Sequence, residues 1–198
     1  MNRKKINASH FGPFKVLADK IGFDYNEYWT SQKILTAQQI LRMQEVNLVA
    51  DILISMVEGI KSKKQIKRYY SVYENDFPHD VDLLEVRFRR VVEVISELFP
   101  EGLSNSEFRR NHIFYTLFTA VYHCLFGLPD FKFKDVDVPR GDLSTDAGIQ
   151  TARNGLDGLA NYLKPSLAHL REPRHNFFKI VVAPLPTKRL ENDERDFC

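Results

Sequence analysis

NLVADILISMV, residues 47–57, and IFYTLFTAVYHCLFGLP, residues 113–129, are the two stretches that decide the fold. Both are apolar around almost the whole circumference of a helix, so a helix of either composition must be surrounded by other parts of the protein. The second stretch has about 14 residues before its glycine, fewer than the roughly 20 that cross a bilayer. The sequence therefore predicts two central helices with the rest of the chain packed around them.

Two short helices are predicted ahead of the first central stretch. The apolar spacing from Pro13 onward predicts a helix over residues 13–20, which Gly22 is placed to end. A second short helix is expected over residues 27–34. Both are amphipathic, so each is expected to cover one side of the central helices.

The first central stretch belongs to a long predicted helix. Thr36 and Gln39 have the spacing of a capping box, in which each side chain bonds to the backbone of the other residue. The helix is expected over residues 37–58, and Gly59 is placed to end it.

Two amphipathic helices are predicted between the central stretches. In KKQIKRYYSVYEN, residues 63–75, the tyrosines share a stripe with Ile66, and the cations lie on the opposite side. The clearest helical periodicity follows, over residues 84–99, and ends at Pro100 and Gly102.

The last third of the chain is predicted to begin with an irregular segment. Residues 130–144 mix proline, aspartate and aromatic residues without helical spacing, which predicts a surface loop. Thr145 or Ser144 is expected to cap the helix that follows and runs to Leu163. For HNFFKIVVAP, residues 175–184, a helix is favoured over a short strand.

Taken together, these segments predict an all-α protein with one helical domain over residues 1–198. The architecture expected is a single orthogonal multi-helix bundle of about seven to eight helices joined by short loops. The chain has 198 residues, of which 43% are hydrophobic, so it can bury a core without disulfides. No internal repeat, low-complexity tract or linker divides it.

Composition also indicates a compartment. The two cysteines, Cys124 and Cys198, form no disulfide framework and no metal-binding pair, which fits a reducing environment. The first residues are basic but lack an apolar segment behind them, so no signal peptide and no membrane association are predicted. We therefore expect a cytoplasmic protein. A net charge of +2 from 28 basic and 26 acidic residues does not by itself indicate nucleic acid.

The sequence shows no arrangement typical of catalysis, of a cofactor or of a metal. A phosphate-binding loop needs a glycine-rich turn before a helix, with Lys and Ser or Thr at its end, and none is present. The six histidines are never paired at the spacing of a metal site, and His175–Asn176 lacks nearby ligands for a nuclease metal. Cys124 lies in an apolar run, which favours a small core residue. We therefore predict no catalytic, cofactor-binding or metal-binding residue.

Local clusters of cations are the feature that favours nucleic acid. The candidate nucleic-acid contacts are Lys61, Lys63, Lys64, Lys67, Arg68, Arg109 and Arg110. Arg87, Arg89 and Arg90 add cations to the clearest predicted helix. Cations opposite an apolar stripe are also typical of any solvated helix face. Arg109 and Arg110 lie just before the second central helix, whose positive end disfavours cations unless an anion is nearby, either an internal carboxylate or a bound group. A phosphate-contacting surface and a solvated surface are therefore both open interpretations.

Aromatic residues lie beside some of these cations. Trp29 and the tyrosines at 69, 70 and 73 have side chains that can stack on nucleic-acid bases. Aromatic residues at helical spacing are nevertheless more typical of a core stripe. We therefore predict that these four side chains are buried.

Several segments occur in an order that resembles a known family. They are INASHFGPFKVLA (6–18), ILRMQEVNLVADILISMVEGI (40–60), KKQIKRYYSVYENDF (63–77), FRRVVEVISELF (88–99) and RRNHIFYTLFTAVYHCLFGL (109–128). This series, over residues 6–128, resembles the second half of the GmrS-like proteins, the family around the GmrSD-type, modification-dependent restriction systems of bacteria. TKRLENDERDF (187–197) resembles the start of the family's closing helix more loosely.

The resemblance implies a role in defence against foreign DNA. In such proteins a ParB-like domain with an Asp-Gly-Gln-Gln-Arg signature precedes the helical region, and many members carry a His-Asn-His nuclease domain after it. Neither occurs in this sequence. The expected function is therefore a helical accessory or regulatory module, without its own catalytic site, that contacts DNA or a ParB-like or nuclease subunit.

Two alternatives accompany that expectation. The first is a protein–protein interaction scaffold that docks on a separately encoded ParB-like or nuclease subunit. The second is an enzyme with an unfamiliar site, which is considered because the resembled family includes nucleotide-dependent nucleases. It is ranked last because the sequence shows no cluster of acids, bases or metal ligands. The sequence also leaves open whether the chain is a fragment, the product of a split gene or a stand-alone protein.

Overall fold

Amphipathic and fully apolar segments form eight α-helices within the residues that the computed structural model describes, which are 11–61, 65–133 and 136–163. The helices are α1 Pro13–Asp24, α2 Asn26–Ser31, α3 Ala37–Ile40, α4 Gln44–Glu58, α5 Ile66–Val72, α6 Val81–Leu98, α7 Asn111–Phe126 and α8 Asp146–Leu163. A 3₁₀ turn, Glu107–Arg109, precedes α7. The prediction of an all-α bundle is confirmed.

The two apolar stretches form the centre of the bundle, as predicted. α4 and α7 pack against each other, while α1 covers α4 and α6 covers α7. Ile52 and Leu53 of α4, and Leu117 and Phe118 of α7, have no exposed surface. Helices that are apolar on every side are stable here because other helices surround them.

Trp29 joins four of the helices. Its indole Nε1–H donates to the carbonyl oxygen of Gly22 at 3.1 Å, and its side chain has no exposed surface. Its ring lies 5.7 Å from that of Phe114 in α7 and 6.5 Å from that of Phe88 in α6, centroid to centroid. The prediction that Trp29 is a core residue is confirmed.

Gly22 does not end α1, contrary to the prediction. The helix continues to Asp24, and Gly22 is instead the point where α4 comes close. A Cβ atom at this position would lie 3.3 Å from Cγ2 of Val46. The glycine therefore serves helix packing. The next helix is also shorter than the predicted 27–34, because it ends at Ser31.

The predicted helix over residues 37–58 is in fact two helices. The capping box is confirmed, since Thr36 N–H donates to Oε1 of Gln39 at 2.8 Å and Gln39 N–H donates to Oγ1 of Thr36 at 3.3 Å. The chain then breaks at Met43, which has a left-handed backbone with φ of 55°. Asn47 Nδ2 donates to the carbonyl oxygen of Met43 at 2.8 Å, which helps to hold the break.

The segment 130–144 is mostly irregular, as predicted, but it contains a small hairpin. Strands β1, Lys132–Phe133, and β2, Val136–Asp137, pair antiparallel. Of the two residues proposed as the cap of α8, Thr145 is the one whose hydroxyl oxygen accepts from a backbone N–H in the first turn, at 3.1 Å. The prediction for residues 175–184 lies outside the described residues. No described helix is long and apolar enough to cross a membrane.

Candidate nucleic-acid interface

The predicted lysine-rich contacts lie at the end of α4 and on α5. Lys67 and Arg68 are exposed in the first turn of α5, while Lys61 is half-buried between α4 and α5. Lys63 and Lys64 lie outside the described residues. We call Lys61, Lys67 and Arg68 the α5 basic surface.

Neither Lys67 nor Arg68 forms an ion pair with any of the residues that the structure describes. The guanidinium of Arg68 donates to Oε1 of Gln65 at 2.9 Å and lies 5.7 Å from the ring centroid of Tyr69. Both contacts orient the guanidinium without neutralising its charge. These two neighbouring side chains therefore place two positive charges on one turn of helix, and no carboxylate of the described residues pairs with either of them.

Glu58 anchors this surface to the core. Its carboxylate accepts hydrogen bonds from the hydroxyl of Tyr69, at 3.2 Å, and from that of Tyr73. Lys61 Nζ lies 3.8 Å from Glu58 Oε2 and also donates to the backbone carbonyl oxygen of Glu58. The bond from Tyr73, followed by the bond from Tyr69 and the charge of Lys61, lowers the pKa of the Glu58 carboxyl. We call Glu58 with its two tyrosines the Glu58 clamp.

The two tyrosines of α5 and Tyr73, which directly follows the helix, belong to the core, as predicted. Tyr70 is 1% exposed, and Tyr69 and Tyr73 are each 5% exposed. The ring of Phe14 in α1 lies 5.6 Å from that of Tyr70 and 5.5 Å from that of Tyr73. Rings held in this way by α1 cannot stack on nucleic-acid bases, so any contact made by the α5 basic surface is ionic.

Of the two anions considered for the start of α7, an internal carboxylate or a bound group, the structure shows the internal carboxylate beside Arg110. α7 begins at Asn111, directly after the two arginines, but Arg110 forms an ion pair with the carboxylate of Glu107. The anion that the helix end requires is therefore an internal one. Arg109 is exposed. The 3₁₀ turn packs against α7 and α8, whereas α5 packs against α4, so different helices hold the two sets of predicted contacts.

The arginines of α6 have partners within the protein. Arg89 lies 3.4 Å from a carboxylate oxygen of Glu85, and Arg90 lies 3.1 Å from one of Glu97. Arg87 donates to the hydroxyl of a buried tyrosine of α7 at 3.4 Å. Much of the positive charge on α6 is therefore compensated locally.

His123 has a structural role that sequence reasoning missed. Leu128 N–H donates to its Nδ1 at 3.1 Å, so Nε2 must carry the proton, and it donates to the carbonyl oxygen of Val138 at 3.0 Å. Burial lowers the pKa of the imidazole. The ring therefore ties the segment after the hairpin to the end of α7. A histidine one turn before the glycine that ends an apolar helix was the available signal.

Cys124 is buried, as predicted. Burial raises the pKa of its thiol to about 11, so the reactive thiolate is scarce at neutral pH. In the part of the chain that the structure describes, no three His, Cys, Asp or Glu side chains are placed to hold a metal ion.

Comparisons of the chain with protein-family models, with curated proteins and with solved structures found no match.

Proposed function

We propose that this chain is a helical accessory module of a bacterial restriction-like defence protein and that its α5 basic surface contacts the phosphates of DNA. The defence role rests on the resemblance to GmrS-like proteins. The DNA contact rests on one observation, the two exposed cations on one turn of α5, which pair with no carboxylate in the described part of the chain. Contacts of this kind are independent of base sequence and weaken as salt rises.

A salt titration tests the DNA contact. Binding of a short duplex should be measured by fluorescence anisotropy at several salt concentrations, for the unaltered protein and for Lys67→Gln with Arg68→Gln. Each lost phosphate contact lowers the slope of log affinity against log salt by about 0.9, so the double variant should lose about 2. Lys33→Gln with Arg42→Gln, two exposed cations elsewhere, is the matched control and should keep the original slope.

Two results would refute the proposed contact with DNA. One is the absence of salt-dependent binding to either unmodified or modified duplex. The other is an equal loss of slope in the α5 variant and in the control, because the effect would then report net charge alone.

An interaction scaffold is the second proposal, and exposed apolar side chains favour it. Val16 and Phe23 of α1 are 64% and 74% exposed, and a spacing of seven residues places them on the same outward face of the helix. This face is where a separately encoded ParB-like or nuclease subunit would dock. Val16→Ser with Phe23→Ser should abolish co-purification with the subunit encoded by a neighbouring gene. An unaltered chain that recovers no such subunit would exclude the scaffold.

A further inference from the structure

A cavity opens between α2, the end of α6 and the turn that follows α6. Its volume is about 310 Å³, at the lower end of the range for small-molecule sites. Ile95 of α6 and Phe99, which directly follows α6, give it an apolar side, while Tyr28, Gln32 and Ser96 bring polar groups to it. A space of this size suits a ligand of one ring.

The amide of Gln32 is held in one orientation. Leu103 N–H donates to its Oε1 at 2.6 Å, which settles the positions of the oxygen and the nitrogen because a backbone N–H needs an acceptor. The approach requires Gly102, which has φ of 75° and whose Cβ, if present, would lie 2.8 Å from Oε1. Nε2 has no acceptor among the described residues. The amide therefore brings an oriented donor to the cavity wall, and no described residue accepts from it.

The hydroxyl of Tyr28 is a second donor at the cavity. The ring packs edge-on against Trp29, with centroids 5.4 Å apart, and burial raises the pKa of the hydroxyl, so it stays protonated. No residue in the described part of the chain hydrogen-bonds to it. Ser96 differs, because its hydroxyl donates to the carbonyl oxygen of Val92 at 3.0 Å and its oxygen is left to accept. The cavity thus presents two donors and an acceptor beside an apolar side.

We propose that this cavity binds a planar cyclic amide of single-ring size, the chemical class that includes the pyrimidine bases. A ring carbonyl would accept from the hydroxyl of Tyr28 and from Nε2 of Gln32. A ring N–H would donate to the hydroxyl oxygen of Ser96. One face of the ring would lie against Phe99, the accessible residue of the apolar side.

The lining also argues against other ligand classes. A purely apolar ring would leave both donors unpaired, which weakens binding by roughly tenfold for each. An anion would face the carboxylate of Glu101, which also lines the cavity, and the described residues of the lining include no lysine or arginine to compensate it. A neutral ring with adjacent carbonyl and N–H groups meets neither objection.

Titration with uracil tests the proposal directly. The side-chain amide of Gln32 and the backbone amide of Leu103 should be followed by ¹H–¹⁵N NMR, and both should shift to saturation with a Kd on the order of 1 mM. 1,3-Dimethyluracil, which has the same ring without N–H donors, should bind about tenfold more weakly. Tyr28→Phe should weaken uracil binding about tenfold as well. Tyr162→Phe, which removes the hydroxyl of an exposed tyrosine of α8, is the matched control and should leave binding unchanged.

A second variant protects the test against a folding defect. Gln32→Glu keeps an oxygen for Leu103 N–H but removes the Nε2 donor, so it should also bind uracil about tenfold more weakly. The proposal is overturned if about 20 mM uracil shifts neither amide, or if both variants bind uracil as tightly as the unaltered protein.

The source of the ring is settled by a parallel titration with a single-stranded thymidylate oligonucleotide. If the ligand is a base within DNA, the oligonucleotide should shift the same two amides, and Tyr28→Phe should abolish those shifts. If only free uracil shifts them, the ligand is a free ring. Lys67→Gln with Arg68→Gln should not change uracil binding, so failure of the DNA contact at α5 would be distinguishable from failure of this proposal.

Discussion

Replacing Glu58 by glutamine should destabilise the protein in a pH-dependent way. Glu58→Gln keeps the shape of the side chain and one acceptor oxygen, but it removes the charge that strengthens the bonds from Tyr69 and Tyr73. A hydrogen bond to a charged group contributes about 1 kcal/mol more than a neutral one, which gives about 2 kcal/mol for the pair. Since the side chain is 32% exposed, solvent screening lowers the expected loss to about 1–2 kcal/mol.

The pH dependence follows from the lowered pKa of the Glu58 carboxyl. Its pKa in the folded state lies below the ordinary value of 4.5, so the clamp contributes its full stability above that value. The contribution is lost as the pH falls through the folded-state pKa, because the carboxyl is then protonated. The glutamine variant should therefore be less stable than the unaltered protein at pH 7, and the difference should be smaller at about pH 3.

Urea unfolding at the two pH values measures this difference. Trp29 is the single tryptophan and is fully buried, so its fluorescence reports unfolding of the core. At pH 7 the midpoint temperature should also fall by roughly 2–8 °C. Glu74→Gln, which changes an exposed carboxylate, is the control and should have little effect. An equal loss of stability at both pH values would refute the reasoning, because the charge of Glu58 would then not be its cause.

Two further predictions concern the last third of the described chain. Gly148→Ala should destabilise α8, because a Cβ there would lie 2.0 Å from the carbonyl oxygen of Asp142, whereas Gly158→Ala meets no atom within 4 Å and should stabilise it by up to about 1 kcal/mol. Thermal unfolding of the two variants checks this, and stabilisation by both would contradict it. For His123, the folded-state pKa is lowered below 6.5, so stability should fall as the pH drops below about 6.5, since the proton would enter at the nitrogen that accepts from Leu128 N–H. Urea midpoints at pH 7.5 and 5.5 test it, and a His123→Gln variant with an equally steep pH dependence would contradict it.

Sequence patterns predicted the helices well where burial decides them. The apolar stretches now found in α4 and α7 lie at the centre, and the periodicity of residues 84–99 corresponds to α6, because a side chain's burial and its helical position are coupled. The predictions of helix ends failed where contacts between helices determine whether a helix continues or breaks. Gly22 is of the residue type that commonly ends helices, but it lies where α4 approaches α1. The helix break at Met43 lies among residues with good helix propensity.

The sequence predicted which cations of the candidate site lie on an exposed helix face, but it did not predict which cations form ion pairs. Sequence spacing placed Lys67 and Arg68 opposite the aromatic stripe, and the structure confirms that they are exposed. It did not show that Glu107 would pair with Arg110, because the turn between them has no periodic pattern. The cavity beside Tyr28 was equally hidden, since its walls come from segments about 70 residues apart that meet only in the folded chain.

The position of Glu58 shows why the question of DNA binding centres on α5. A carboxylate at the last residue of a helix faces the negative end of the helix dipole and is disfavoured there. The two phenol hydroxyls and Lys61 offset that cost, so the charge of Lys61 is already paired with that of Glu58. Lys67 and Arg68 stand one and two residues into a helix whose far end is held by the same carboxylate through Tyr73. Neither side chain pairs with a carboxylate among the described residues, and the helix that carries them is held to the core, which favours contact with a phosphate backbone.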